Sequence, residues 1–185
     1  MFLGSKEIKR LIETENLVSG YINIEEQLQP DGFDLTVNKI ERFIGRGALL
    51  TDTKYLPEML ELKTKQMVYP QIITKDSGLP IITEKVRDIW ELDEGVYLAY
   101  FNETIRLPKS VSSIHIQRST FMRCGNLSIV GTWDMGYNGK GCTMIHIANP
   151  YGLVLEKNTR IVKMQFMPVT EGFMYGGSYQ NENIQ

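Results

Sequence analysis

Histidine and cysteine are scarce in this sequence, with two of each among 185 residues. Cys124 and Cys142 are too few for a disulfide framework. Neither has a CxxC partner or a histidine pair nearby that would suit a metal ion. Two half-buried thiols in a reducing compartment is the plain reading, and the cytoplasm is the expected location. An excess of charge of one sign is also missing. Lys and Arg total 20 against 22 Asp and Glu, for a net charge of −2. That balance provides no basic field for a polynucleotide backbone, so polymeric DNA or RNA is not expected as a partner. A small anionic metabolite held by a local cluster stays open. The opening stretch MFLGSKEIKRLIETENL lacks an apolar run of signal-peptide or membrane-spanning length, and no membrane partner is expected. Internal repeats, low-complexity tracts and dense carboxylate clusters are absent too.

What is present is the composition of an ordinary globular chain, 42% hydrophobic and 23% charged. The length fits one domain over 1–185, large enough to bury a real core. Residues 1–20 read as a helical lead. Ser5 is placed to cap a helix whose apolar residues Ile8, Leu11 and Ile12 share a face, and ENLVSGYI ends it. The rest is β-rich. GVYLAYFNETIRLP alternates Val96, Leu98 and Tyr100 before a proline stop. SIHIQ, CTMIHIAN, GLVLEKN and RIVKMQF are short and rich in β-branched or aromatic residues. Many short strands with Gly, Pro and Asn turns between them imply a mainly β fold, a closed barrel or jelly roll. The last stretch, 171–185, is glycine-rich and polar and is expected to be flexible.

Four stretches place polar residues or glycine where a β protein needs only turns. In QLQPDGFDLTV, Asp34 follows a proline and a glycine and precedes an apolar run; a turn aspartate satisfying backbone amides is the plainer alternative. In QRSTFMRCG, Arg118, Ser119 and Thr120 lie between a strand and one or two helical turns. A guanidinium, hydroxyls and exposed amides together make an anion cradle, and an N-cap with a surface arginine is the alternative. Arg123 adds a second cation. In GTWDMGYNGKG, Asp134 at a strand end can polarise a water, and Tyr137 can present a flat face to a sugar or base. Gly136, Gly139 and Gly141 allow close backbone approach, although a plain hairpin turn also uses Asp and Gly. In the C-terminal stretch, Tyr175, Ser178, Tyr179 and Gln180 beside glycine pairs suit either a lid or a frayed end.

Taken in order, QPDGFDLTV, RSTFMRCG, WDMGYNG, NPYGLVLEKNTRIVKMQF and YGGSYQNEN resemble the dUTPase and dCTP deaminase superfamily, most closely its archaeal-type dUTPase branch. The resemblance runs from about Gln27 to Asn183 and is most specific from Arg118 to Phe166. It implies a distorted jelly-roll barrel and hydrolysis of dUTP to dUMP and diphosphate, with Mg2+ as cofactor and a homotrimer sharing active sites between subunits. By the same resemblance Asp134 positions the attacking water. Tyr137 stacks on deoxyribose and excludes a 2′-hydroxyl, and the glycine backbone at Gly141 admits the base. Arg118 and Ser119 bind phosphate, with Thr120 where a second serine is common. Asp34 organises the metal-triphosphate region without being a direct ligand, and Tyr179 and Gln180 belong to the segment that closes over the phosphates. The metal would be held chiefly by phosphate oxygens and waters.

The rival on the same fold is dCTP deamination. Deaminases of this superfamily carry a glutamate on the strand after the glycine turn, and the matching position here is His146, which reads as a strand side chain. The missing glutamate favours hydrolysis alone. Lys163 departs from the pattern by standing where a glutamine is common. Lys163 and Gln165 share a strand face, so either can supply the expected phosphate-side contact; the other reading is that this motif is not used here as it is elsewhere in the family. A catalytically idle nucleotide-binding regulator is the reading from another class. His115 and the Trp90 segment carry no assignment beyond packing.

Overall fold

The computed structural model describes residues 1–74, 80–170 and 172–184, so positions 171 and 185 of the expected C-terminal segment lie outside the described residues. The lead forms a helix over Ser5–Glu15 and buries Ile8, Leu11 and Ile12. Its cap is one residue earlier than the sequence implies. Gly4, in extended conformation, is the N-cap, since its carbonyl already accepts the Ile8 N–H at 3.0 Å. The helix ends at Asn16 in the left-handed region, φ 54°, where the Asn16 and Leu17 amides return to Ile12 O and Leu11 O.

The centre is a nine-stranded antiparallel sheet whose main path runs Asn126–Ser128, Cys142–Ile147, Gly95–Phe101, Gly32–Phe43, Arg160–Pro168, Val111–Gln117 and Gly131–Trp133. Gly32–Phe43 is its hinge. Its first half pairs with Arg160–Pro168 and its second half with Gly95–Phe101, with a register irregularity between Val37 and Lys39 that bends the strand from one neighbour to the other. The two edge strands, Asn126–Ser128 and Gly131–Trp133, are separated in the chain only by Ile129 and Val130. The edges therefore meet, and the sheet curls on itself as the jelly-roll reading expects.

Phe33, Leu35, Ile40, Ala99, Phe101, Ile145, Ile147, Val162, Met164 and Phe166 fill the interior. On Gly95–Phe101 the inward set is Tyr97, Ala99 and Phe101, not the alternating Val96, Leu98 and Tyr100. Both sets are apolar, so a period of two marks the strand without choosing its face. Lys65–Thr74 and Pro80–Leu92 pair as a long hairpin, and Leu153–Glu156 extends its base. Among the described residues no helix is long and apolar enough to cross a membrane.

Candidate active site

The stretch from Gly131 to Gly141 forms one wall of a cleft of about 450 Å³. Its turn is closed by the Tyr137 N–H on Asp134 O at 3.1 Å, with Gly136 at φ 84°, a conformation that favours glycine. The turn is anchored from outside, since Gly136 N–H donates to Leu107 O and Leu107 N–H to Tyr137 O. Asp134 is exposed on the lip of the cleft, and among the described residues its carboxylate has no hydrogen-bond partner. Tyr137 is only 5% exposed. Its ring meets Trp133 edge-on at 4.8 Å and Tyr175 at 5.8 Å, and its hydroxyl donates to Glu182 Oε1 at 2.8 Å. Burial, then that bond, pushes the Tyr137 phenol up; burial also raises the Glu182 carboxyl.

Behind the cleft, Trp133 Nε1 donates to His115 Nδ1 at 2.8 Å. An indole N–H is donor only, so His115 carries its proton on Nε2 and donates it to Ile129 O at 3.0 Å. Burial lowers the His115 pKa, which keeps the ring neutral. The glycines make room for this aromatic stack: a Cβ on Gly141 would lie 2.1 Å from Trp133 Cη2, and one on Gly139 would lie 2.5 Å from the Tyr137 hydroxyl oxygen. Close approach at these positions is thus made by the chain's own rings. Cys142, also on the wall, has its thiol pushed up to about 11, first by burial and then by the nearby acids Glu182 and Glu41.

The C-terminal segment supplies the opposite wall through Tyr175, Tyr179, Glu182 and Asn183. Gln180 straps it to the hairpin, with Nε2 donating to Gly136 O at 2.9 Å and Oε1 accepting the Asn138 N–H at 3.0 Å. Lys54 lies 4.7 Å from the Tyr179 ring centre and donates to Ser178 Oγ at 3.0 Å.

A second, smaller cleft of about 250 Å³ lies elsewhere and shares no lining residue with the first. Arg118 and Arg160 line it with Gln27, Thr36 and Asn158. Asp34, 2% exposed, sits behind: Arg118 Nε is 2.9 Å and Arg160 Nη1 3.5 Å from the same oxygen, Oδ2. Burial raises the Asp34 carboxyl, against the pull of Arg118, Arg160 and Lys163. Two guanidiniums thus share one carboxylate oxygen at the edge of the cleft, and Glu26 adds an acidic residue to its lining. Ser119 and Thr120 open the short helix Ser119–Arg123 beside it, both exposed. Glu103, fully buried, accepts from Gln27 Nε2, Thr36 N and Thr36 Oγ1 and stiffens the back of this cleft.

The structure therefore gathers Asp134, Tyr137, Gly141 and Tyr179 in one cleft, with Gln180 strapping its wall, and Asp34 and Arg118 around the other. Lys163 and Gln165 share a face as expected, but they line neither cleft. Both grip Asp31, each at 2.7 Å, which lowers the Asp31 pKa. His146 lies on the outer side of its strand, between the buried Ile145 and Ile147, and lines neither cleft. Sequence reasoning missed Glu182, His115, Arg160, Glu103 and Asp31. Asp31, Glu182 and Arg160 all lie in stretches that carry the resemblance, but nothing local marks any of them out.

Comparison with known proteins adds a direct finding. A family profile described as dCTP deaminase-like matches residues 2–169. The chain belongs to the dCTP deaminase-like family. A relative in Archaeoglobus fulgidus named probable deoxyuridine 5′-triphosphate nucleotidohydrolase is 34% identical to this dCTP deaminase-like chain over 187 residues, covering 98% of the chain and 97% of the relative. A protein of the same name in Methanosarcina mazei is 32% identical, with coverages of 98% and 97%. The solved structure of 2′-deoxycytidine 5′-triphosphate deaminase from Agrobacterium tumefaciens superposes with a TM-score of 0.58 at 16% identity, over 89% of this chain and 47% of that one. At that identity the likeness is one of fold, and it agrees with the curled antiparallel sheet of this dCTP deaminase-like chain.

Proposed function

We propose that the chain hydrolyses dUTP to dUMP and diphosphate by attack of water on the α-phosphorus. The observation that carries this reading is the pairing of an unpartnered carboxylate, Asp134, with the ring of Tyr137 in a single turn on the wall of a nucleoside-sized cleft. In a chain whose full-length relatives are named as dUTP nucleotidohydrolases, that pairing suits water activation beside a deoxyribose. Arg118, Ser119 and Thr120 are the phosphate cradle in this scheme, with Asp34 holding Arg118 in place. Most of the rate comes from positioning and charge neutralisation, as phosphoryl transfer demands. Among the described residues no three His, Cys, Asp or Glu side chains stand together as a metal cage. Magnesium bound with the triphosphate would neutralise its charge, and Asp134 is the free carboxylate available to its water shell. The C-terminal segment acts as the lid.

The two clefts share no residue, so one chain does not by itself bring the phosphate cradle to Asp134. We infer a homotrimer in which the cradle of one subunit completes the Asp134 cleft of another. Exposed Leu127 and Met144 on the sheet, and Ile129 and Val130 on the link between its edge strands, support such an assembly. We infer a cytoplasmic location, with which two unpaired cysteines are compatible.

The test is a product assay with magnesium and separate dUTP, dCTP, dTTP and UTP, resolved by ion exchange. The expected result is dUMP and diphosphate from dUTP alone. Asp134→Asn is expected to lose at least 100-fold in kcat while retaining nucleotide binding. Equal turnover by variant and wild type would remove Asp134 from the reaction. Conversion of dCTP to a uracil nucleotide would instead establish deamination by a group other than the glutamate that His146 replaces.

A further inference from the structure

We propose that Glu182 is the positioning residue for Tyr137, so that docking of the C-terminal segment and discrimination between deoxyribose and ribose are one event. The inference deepens the reading of Tyr137 as the sugar-facing ring and rests on it. Trp133 and Tyr175 pack against that ring and Gly139 lies at its hydroxyl end, but none of them holds the hydroxyl. Among the described residues the hydroxyl has one partner, Glu182 Oε1 at 2.8 Å. A ring excludes a 2′-hydroxyl only while it cannot tilt away, and a hydrogen bond at the para position opposes tilting.

The carboxyl of Glu182 is an unusual group to leave here. It is half-buried among Tyr137, Tyr175, Tyr100 and Cys142, with Glu41 beyond Tyr100, and among the described residues no cation pairs with it. Placing a carboxyl there costs free energy that the Tyr137 bond partly offsets. Its reach also depends on the segment around it. Asn181 N–H donates to Asn138 O at 2.7 Å, Lys140 N–H to Glu182 O at 3.0 Å, and Asn183 Nδ2 to Lys140 O at 2.9 Å. These bonds flank Glu182 on both sides, so its side chain meets Tyr137 only when the segment lies on the hairpin. The hydroxyl is therefore held when the lid is docked and released when it is not.

The experiment is a double-mutant cycle on wild type, Glu182→Ala, Tyr137→Phe and the double variant, with Glu182→Gln as the conservative control. Each is assayed for kcat/KM on dUTP and on UTP, and hydrogen exchange is followed at the Asn181 and Lys140 amides. Glu182→Ala and Tyr137→Phe are each expected to lower the dUTP-to-UTP ratio about tenfold and to speed exchange at both amides, with the double variant no worse than either single one. Glu182→Gln is expected to keep most of the ratio, because its amide oxygen accepts the same bond. Additive losses in the double variant, or an unchanged ratio in Glu182→Ala, would overturn the proposal. If the wild type does not hydrolyse dUTP, the functional reading fails instead, and exchange alone decides the coupling: equal, non-additive loosening upholds it and independent effects overturn it.

Discussion

His115 and Trp133 act as one unit. The imidazole accepts the indole N–H on one side and donates to Ile129 O on the other, so its proton position is set by its neighbours. Protonation would turn Nδ1 from acceptor to donor and set it against the Trp133 N–H. An unfolded histidine titrates near 6.5, and burial holds the folded His115 below that. Between the two values the unfolded chain binds the extra proton. Stability from this residue is thus complete above about 6.5 and is lost as pH falls toward the folded value. Urea unfolding of wild type and His115→Asn at pH 7 and pH 5 checks this. The wild type is expected to lose more stability over that interval than the variant, since acidic groups common to both cancel in the comparison.

At the scale of elements, the hairpin wall is built by glycines that accept rings. Trp133 lies against Gly141 so closely that an added methyl meets three of its ring carbons at 2.1, 2.8 and 3.0 Å. The ring is rigid and tied to His115, so it cannot yield cheaply. Gly141→Ala is expected to cost about 2 kcal/mol, as overpacking does. It should also shift tryptophan fluorescence, and a melt indistinguishable from wild type would contradict this packing. The turn itself was readable, because Asp134, Tyr137 and the glycines all crowd into one short polar stretch between apolar ones. The strands around Val111–Gln117 and Arg160–Pro168 were readable for the complementary reason, being short apolar runs between turn residues. The inward face of Gly95–Phe101 was not, since both alternating sets are apolar. Nor were Glu182 and Asp31, whose roles arise when distant segments dock: Glu182 meets Tyr137 across 45 residues of chain, and Asp31 meets Lys163 across 132. Local sequence carries no trace of such pairings.

For the whole molecule, the separation of the two clefts makes assembly part of the proposed chemistry. Asp134→Asn and Arg118→Ala chains are each expected to be nearly inactive alone. If sites are shared between subunits, unfolding and refolding an equal mixture restores activity, because random assembly joins an intact Asp134 to an intact Arg118 at about one site in four. If each chain builds its own site, the mixture stays inactive. Either result is read in one activity assay, with oligomer size checked by sedimentation.

The hinge strand Gly32–Phe43 has a further consequence, for the making of the protein. One half of it waits for Gly95–Phe101 and the other for Arg160–Pro168, and the backbone of Leu3 also bonds to Phe166 O. The barrel therefore cannot close while the C-terminal strand is still inside the ribosome. Until then a long strand has an unpaired edge, and its partner lies more than 120 positions downstream, at Arg160 for Thr36. Non-local pairing of this kind folds slowly, on the order of milliseconds to seconds, and leaves the nascent chain open to aggregation until Arg160–Pro168 has emerged.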